Sequence, residues 1–178
     1  LTGEAPNRTH IDRILDIAKS FKNTRKVINR IELAIERIQR NVGTRPYGFN
    51  LIHTPTEPQS EAAVVQLYLH RNVRLVSAAA YMELPLPLIR YRVAGIFRDP
   101  EGRVIAPNKV IAKVSRVEVA RKFFSRPPAQ MLRTLVDGGF ITQRQAALAA
   151  PMQRPPPNHV ADRVAVANGS DSRRPATR

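Results

Sequence analysis

Pro46 and Pro55 bracket the stretch Tyr47-Gly48-Phe49-Asn50-Leu51-Ile52-His53. Proline lacks a backbone N–H and fixes φ, so it punctuates regular structure. The segment between the two prolines has strand length, and Pro58 then marks a helix start. An apolar run so bounded predicts a buried parallel strand entering a βα loop. In such units the polar residues at the carboxyl end of the strand face the ligand side of the sheet or barrel. Asn50 and His53 are therefore the first candidates for chemistry. The competing reading makes His53 a loop histidine that caps something local.

The rest of the chain repeats this pattern. Ile11, Ile14, Leu15, Ala18 and Phe21 predict a short amphipathic helix over 10–21. Thr24 is placed to cap a second helix, in which Ile28, Ile31, Ile35 and Ile38 form a core-facing stripe and Gly43 supplies a stop. The stripe spans under two heptads, which disfavours a coiled-coil arm. Pro58 to about Arg71 is helical, and Val73 to Ala78 is a short β-rich run ending in small residues. Pro85 and Pro87 open a helix that runs through Arg92 to Gly95. Asp99-Pro100-Glu101-Gly102 is a turn between Phe97 and Val104, hence a small hairpin. Val110 to Ser115 is a third buried strand. Helices follow over 117–124, 128–137 and 142–149, with Asp137-Gly138-Gly139 as a stop and Thr142 as a cap. Strands alternating with helices imply a parallel sheet and the α/β class.

Three regions emerge: N-terminal helices over 1–43, a βα-repeating body over 44–150, and a Pro/Arg-rich stretch over 151–178 that predicts a disordered tail. The 178 residues suffice for one domain with a sizeable core. The absence of cysteine excludes disulfides, zinc-thiolate sites and a Cys nucleophile, and it suits a cytoplasmic location. No apolar run approaches the roughly 20 residues of a membrane span, and no signal peptide is visible. The chain opens on Leu rather than Met, which fits a fragment. Its 29 Lys and Arg against 14 Asp and Glu give a net charge of +15. That charge is spread evenly, with ten basic against five acidic residues in 1–46, fourteen against seven in 47–150, and five against two in 151–178. With no basic run and few interleaved aromatics, the distribution argues against nucleic acid as the partner.

No P-loop, dinucleotide fingerprint, metalloprotease helix or nucleophile elbow is present. The polar groups at the predicted strand ends are Asn50 and His53, then Ser77, then Lys113 and Ser115. An amide, a hydroxyl and an ammonium suit an anionic ring system or a phosphate. The set holds no carboxylate pair, metal cluster or catalytic triad, so residue spacing alone stops at an α/β ligand-binding part-domain.

A resemblance extends this reading. Residues 47–55 with Glu57-Pro58 resemble the PFGVNLIHSP segment of one flavoprotein family. So do Leu67-Tyr68-Leu69, Val73 through Tyr81, Val93-Ala94-Gly95, Ala106-Pro107-Asn108 and Ala112 through Arg116. The family is the nitronate monooxygenase (2-nitropropane dioxygenase)-like group. Within it the match is to the trans-acting enoyl reductases of polyunsaturated fatty-acid and trans-acyltransferase polyketide synthases. The resemblance covers about 44–150 and keeps the family order. It implies a partial FMN-dependent TIM barrel, with NAD(P)H as reductant and an enoyl thioester on an acyl carrier protein as substrate. By the same match, Asn50 is the strand-end flavin contact, Lys113 the strand-end lysine of the pocket, and Ser77 and Ala78 part of its wall. The match gives His53 no role.

The departures carry equal weight. The Gly-rich turn that covers the flavin in the family is replaced by Ala18 to Asn23, which holds no glycine. Val160 through Val166 resembles the lead-in strand to the family's active-site histidine, but the Ser170-Asp171-Ser172-Arg173 that follows holds no Gly-Gly-His. A full barrel takes roughly 250 residues. The expectation is a piece of an enoyl reductase-like barrel, not active alone, with an uncovered strand edge that favours oligomerisation. Asn50 and Lys113 are expected to project from neighbouring strand ends, and the Ile28 to Ile38 stripe to cover part of the open inner face. The alternative is a non-catalytic interaction module that docks on a synthase or an acyl carrier protein.

Overall fold

The computed structural model describes residues 22–151. The helix predicted over 10–21, and the tail predicted over 151–178 apart from Pro151, lie outside the described residues. Eleven elements follow one another: α1 (Lys22–Val42), β1 (Phe49–Ile52), α2 (Pro58–His70), β2 (Leu75–Ala79), α3 (Leu86–Val93), β3 (Phe97–Arg98), β4 (Val104–Ile105), β5 (Lys109–Lys113), α4 (Val117–Phe124), α5 (Ala129–Asp137) and α6 (Gln143–Ala149). The predicted succession of helices and strands is present throughout this span.

Three strands form one parallel sheet in the order β1-β2-β5. Sequential strands sit side by side, each followed by a helix, which is the arrangement of a partial (β/α) barrel. The short β3–β4 pair is an antiparallel excursion between α3 and β5. Its turn is closed by the Asp99 carboxylate, which accepts from the Arg103 N–H at 2.8 Å, and by Gly102 at φ +80°.

Side chains alternate across the sheet. Leu51, Val76, Ala78 and Ala112 point to one face and are buried with Tyr68, Leu88 and Tyr91 of the helices. Burying side chains of this size contributes about 1.5–3 kcal/mol each for the larger ones. A second apolar cluster, built from Ile89 and Val93 of α3 with Leu132, Leu135, Ile141 and Leu148, fixes α5 and α6 against α3. Thr142 and Gln145 form a reciprocal cap at the start of α6, at 3.1 and 2.9 Å, as the sequence predicts for Thr142.

Local differences from the sequence reading have local causes. Thr24 lies inside α1, not at its cap, because the helix already includes Lys22. β2 begins at Leu75 because residues 71–73 are spent on closing α2. Asn72 takes φ +54° and the Val73 N–H donates to the Tyr68 carbonyl at 2.9 Å. β1 begins at Phe49 because Gly48 passes against β2, where a Cβ would lie 2.8 Å from the Leu75 carbonyl oxygen.

The α1 stripe does not cover the inner face. Ile28 and Ile35 are fully buried, and they join the cluster on the helix-covered side. Two anchors hold α1 against the end of α2: Arg71 pairs with Glu32 and Glu36, and the Arg71 carbonyl accepts from the Gln39 amide at 3.0 Å. The opposite face of the sheet stays open, with Asn50, Ile52 and Lys113 exposed.

Candidate functional site

Register decides which candidate side chains share a face. Asn50 pairs with Ser77, and Ser77 with Ile111. One row further along, Ile52 pairs with Ala79, and Ala79 with Lys113. Asn50, Ser77 and Lys113 therefore share the open face, toward the carboxyl ends of the strands. Asn50 and Lys113 do not come from neighbouring strands, contrary to the sequence expectation. Asn50 and Lys113 sit on the two outer strands, with β2 between them and one row of residues offset. Strand spacing and rise put their Cα atoms on the order of 12 Å apart. A ring system can span that gap, whereas one small ion cannot.

Ala78 belongs elsewhere. It lies in register between Leu51 and Ala112, is fully buried, and faces the helices. Its side chain packs the core and is not a wall of the open face.

Ser77 carries the most informative atom of this set. Its Oγ is buried and has no hydrogen-bond partner among the described residues. An unsatisfied buried hydroxyl costs about 1–3 kcal/mol. The neighbouring Asn50 has its backbone carbonyl fixed by the Tyr68 hydroxyl at 2.8 Å, which leaves its exposed side-chain amide on the open face. Burial pushes the Tyr68 hydroxyl up to about 12, so it remains a donor at neutral pH.

Beyond the last residues of β1 and β2 lies a cluster of which sequence reasoning named only His53, missing its partners Glu61 and Tyr81. His53 follows β1 directly, and its backbone N–H donates to the Ala79 carbonyl at 3.1 Å. Its Nδ1 stands 2.9 Å from Oε2 of Glu61, which lies in the first turn of α2. The Tyr81 hydroxyl donates to Oε1 of the same carboxylate at 3.0 Å, and the Thr54 N–H approaches Oε2 at 3.4 Å. The His53 and Tyr81 rings stack at 5.0 Å. Ala80 turns the chain at φ +64°, a conformation costly for a residue with a Cβ, and this brings Tyr81 back under His53. Lys122 of α4 tethers the following loop by donating to the Met82 carbonyl at 3.2 Å and pairing with Glu83.

The electrostatics of the cluster are one-sided. Glu61 is 4% exposed, yet its carboxylate is surrounded by donors. Tyr81 is pushed far up, first by burial and then by the Glu61 charge, and stays a neutral donor. Facing the Glu61 carboxylate, the His53 Nδ1 is the ring nitrogen that carries a proton toward Oε2, and Nε2 lies on the far side of the ring. The imidazole side chain keeps 23% of its surface. The arrangement holds one imidazole in a fixed orientation at the rim of the open face.

The donor set fits one part of the flavin that the resemblance implies. An amide, an orphaned hydroxyl and an ammonium on one open face suit the polar edge of a ring system. Among the described residues no glycine-rich loop stands ready for the phosphate. No group of three or more His, Cys, Asp or Glu is placed to hold a metal ion there, and no helix is long and apolar enough to cross a membrane.

Comparison with known proteins relates the chain to synthase proteins and an enoyl reductase domain. No protein-family model matches the chain. One of the polyunsaturated fatty acid synthase subunits of a Thraustochytrium species is 41% identical over 133 residues, which is 75% of this chain and 8% of that protein. The polyketide biosynthesis protein PksE of Bacillus subtilis is 38% identical over 122 residues, 68% of this chain and 16% of that protein. Among solved structures, the enoyl reductase domain of MlnA, from the macrolactin biosynthesis cluster of Bacillus amyloliquefaciens, superimposes with a TM-score of 0.65 at 36% identity. The match covers 69% of this chain and 28% of that one. The chain spans under a third of each of these relatives.

Proposed function

We propose that this chain, a partial homologue of the enoyl reductases of polyketide and polyunsaturated fatty-acid synthases, contributes part of an FMN site to a cytoplasmic enoyl reductase and does not catalyse alone. The substrate class is an enoyl thioester on an acyl carrier protein, the reductant is NAD(P)H, and the partners are synthase subunits. Residues 44–150 are the part that carries the site. The observation that supports this most is the orphaned Ser77 hydroxyl between Asn50 and Lys113 on the open face.

Each residue has a role that follows from its chemistry. The Asn50 amide both donates and accepts, and so can read a ring edge that presents both kinds of group. The Ser77 hydroxyl gains the partner it lacks. The Lys113 ammonium acts as a point charge beside the phosphate or the anionic side of the ring. FMN, when bound, supplies a two-electron carrier between the nicotinamide and the enoyl β-carbon. His53, oriented by Glu61 and Tyr81, borders the same end of the strands. The missing Gly-Gly-His segment and phosphate loop leave the site incomplete, so weak FMN affinity and undetectable NAD(P)H oxidation are expected of the chain alone.

Two experiments test the reading. Titrating the purified chain with FMN should give no saturable quenching of flavin fluorescence at low micromolar concentration. Saturable quenching that is lost in Asn50→Ala would show the pocket to be complete. Residues 44–150 should also replace the homologous segment of the MlnA enoyl reductase domain with retention of flavin. Lys113→Ala and Ser77→Ala should weaken that retention, and an unchanged flavin content in both would remove the site. A second reading, a docking module for an acidic carrier protein, draws on the net charge of +15. It requires salt-sensitive carrier binding that is indifferent to Asn50→Ala.

A further inference from the structure

At the other end of the sheet, beside the amino ends of β2 and β5, lies a cleft of about 250 Å³ between α2, α3 and the start of α6. Gln66, Arg74, Arg90, Asn108, Phe140 and Gln145 are among its lining residues, and none of the lining residues is acidic. Arg90 is only 6% exposed. Its Nη2 donates to the neutral Oε1 of Gln66, and its guanidinium carbon stands 4.4 Å from the centre of the Phe140 ring. Among the described residues its buried Nε–H has no partner, and its Nη2 bond goes to an amide oxygen, not a carboxylate.

Some other cations of the described residues meet a carboxylate, while exposed Arg98 and Arg133 bond neutral oxygens at the surface. Arg71, Arg103 and Lys122 each pair with at least one carboxylate. Arg74, the second guanidinium of the cleft, bonds only neutral oxygens, of Asn108 at 2.9 Å and Asn72 at 2.8 Å. Asn108 is fixed in turn by donating to the carbonyls of Tyr91 and Ala94 at 2.9 and 2.8 Å. Burial lowers Arg90 to about 10, so the group still carries its charge at neutral pH. A buried cation without a counter-charge is costly, and a guanidinium edge matches the oxygens of a planar or tetrahedral oxyanion.

We infer that this cleft is a second ligand site, for an oxyanion presented as a phosphate or a carboxylate group, with Arg90 as its anchor and Arg74 beside it. The site is separate from the open face that carries Asn50 and Lys113, and it does not depend on the flavin reading. A purely structural Arg90, buried for its aliphatic stem, would show no response to anions.

The test is thermal unfolding of the full chain with added sodium phosphate or sodium acetate, at ionic strength held constant with sodium chloride. A saturating rise of the midpoint by roughly 3–8 °C is expected with at least one of the two anions. A rise with phosphate alone assigns a phosphate-bearing ligand, and a rise with acetate as well shows that a carboxylate suffices. Arg90→Met, which keeps volume and removes charge, should abolish the response. Gln66→Glu guards against a variant that fails to fold. It places a carboxylate on the atom Arg90 already bonds, so it should raise the midpoint without added anion and remove the response. No response of the unmodified chain to either anion overturns the proposal. So does a response that persists unchanged in Gln66→Glu or in Arg90→Met.

Discussion

His53 Nδ1 and Glu61 Oε2 stand 2.9 Å apart, joining the loop after β1 to the first turn of α2. The contact orients an imidazole at the rim of the open face and also satisfies a carboxylate that the helix packing has buried. Removing the acceptor leaves the Tyr81 hydroxyl and His53 Nδ1 without partners. Glu61→Ala is therefore expected to cost about 1–3 kcal/mol of stability, read from urea unfolding. Tyr81→Phe combined with Glu61→Gln should show a coupling of about 0.5–3 kcal/mol in a double-mutant cycle. Strict additivity would mean that the two groups do not share the carboxylate.

Gly48 tests the packing of β1 on β2. A Cβ there would lie 2.8 Å from the Leu75 carbonyl oxygen, which is backbone and does not yield cheaply. Gly48→Ala should destabilise by about 1–3 kcal/mol, measured as a lower urea midpoint at unchanged slope. Gly43→Ala is the contrast. No atom lies within 4 Å of its Cβ position, so any loss there reflects the φ of +57° alone.

Much of this architecture was legible because its signals are local. Pro58 at the start of α2, the Thr142 cap of α6 and the turn at Asp99 to Gly102 are each written within a few residues. The three strands are short apolar runs set off by turn signals, and the family-like motifs placed them in order. What the sequence hid was pairing at a distance. Glu61 reads as an ordinary first-turn acid, and Arg90 as a solvated helix residue. A signal for both existed in α2. From Glu61 to Leu69 only Glu61 and Gln66 are polar, and a helix apolar nearly all round is buried. Both polar residues therefore had to find partners, and they did so at opposite ends of the helix layer, Glu61 with His53 and Tyr81, Gln66 with Arg90. The Ala78 assignment failed for a different reason: a shift of one residue in strand phase exchanges the two faces.

Alkaline pH should unfold the protein through its buried tyrosines. Tyr68 is raised to about 12 by burial. Tyr91 and Tyr81 are raised further, in each case first by burial. A raised folded pKa means that the unfolded chain releases its proton first. Stability is then intact below about pH 10 and falls as pH rises from there toward 12. Arg90, lowered to about 10, acts in the opposite direction over the same window, but it is one group against three. Thermal midpoints between pH 8 and 11.5 should decline steeply above 10. Tyrosinate absorbance should rise together with the loss of helical circular dichroism. A flat profile to pH 11.5 would contradict the burial of these hydroxyls.

Leu51 and Ile52 are consecutive in β1, 2% and 58% exposed, and they point to opposite faces of the sheet. This pair tests which face is covered. Leu51→Ala removes a side chain from the helix-packed core and should cost about 2–5 kcal/mol. Ile52→Ser removes apolar surface from the open face, where it packs little, and should change stability by no more than about 0.5 kcal/mol. The same substitution has a second expected effect. An open, partly apolar sheet face favours self-association, so Ile52→Ser should shift sedimentation velocity profiles toward the monomer at a given concentration. If Ile52→Ser destabilised the chain as strongly as Leu51→Ala, the face carrying Asn50, Ser77 and Lys113 would be packed rather than open. The reading of that face as a ligand surface would fall with it.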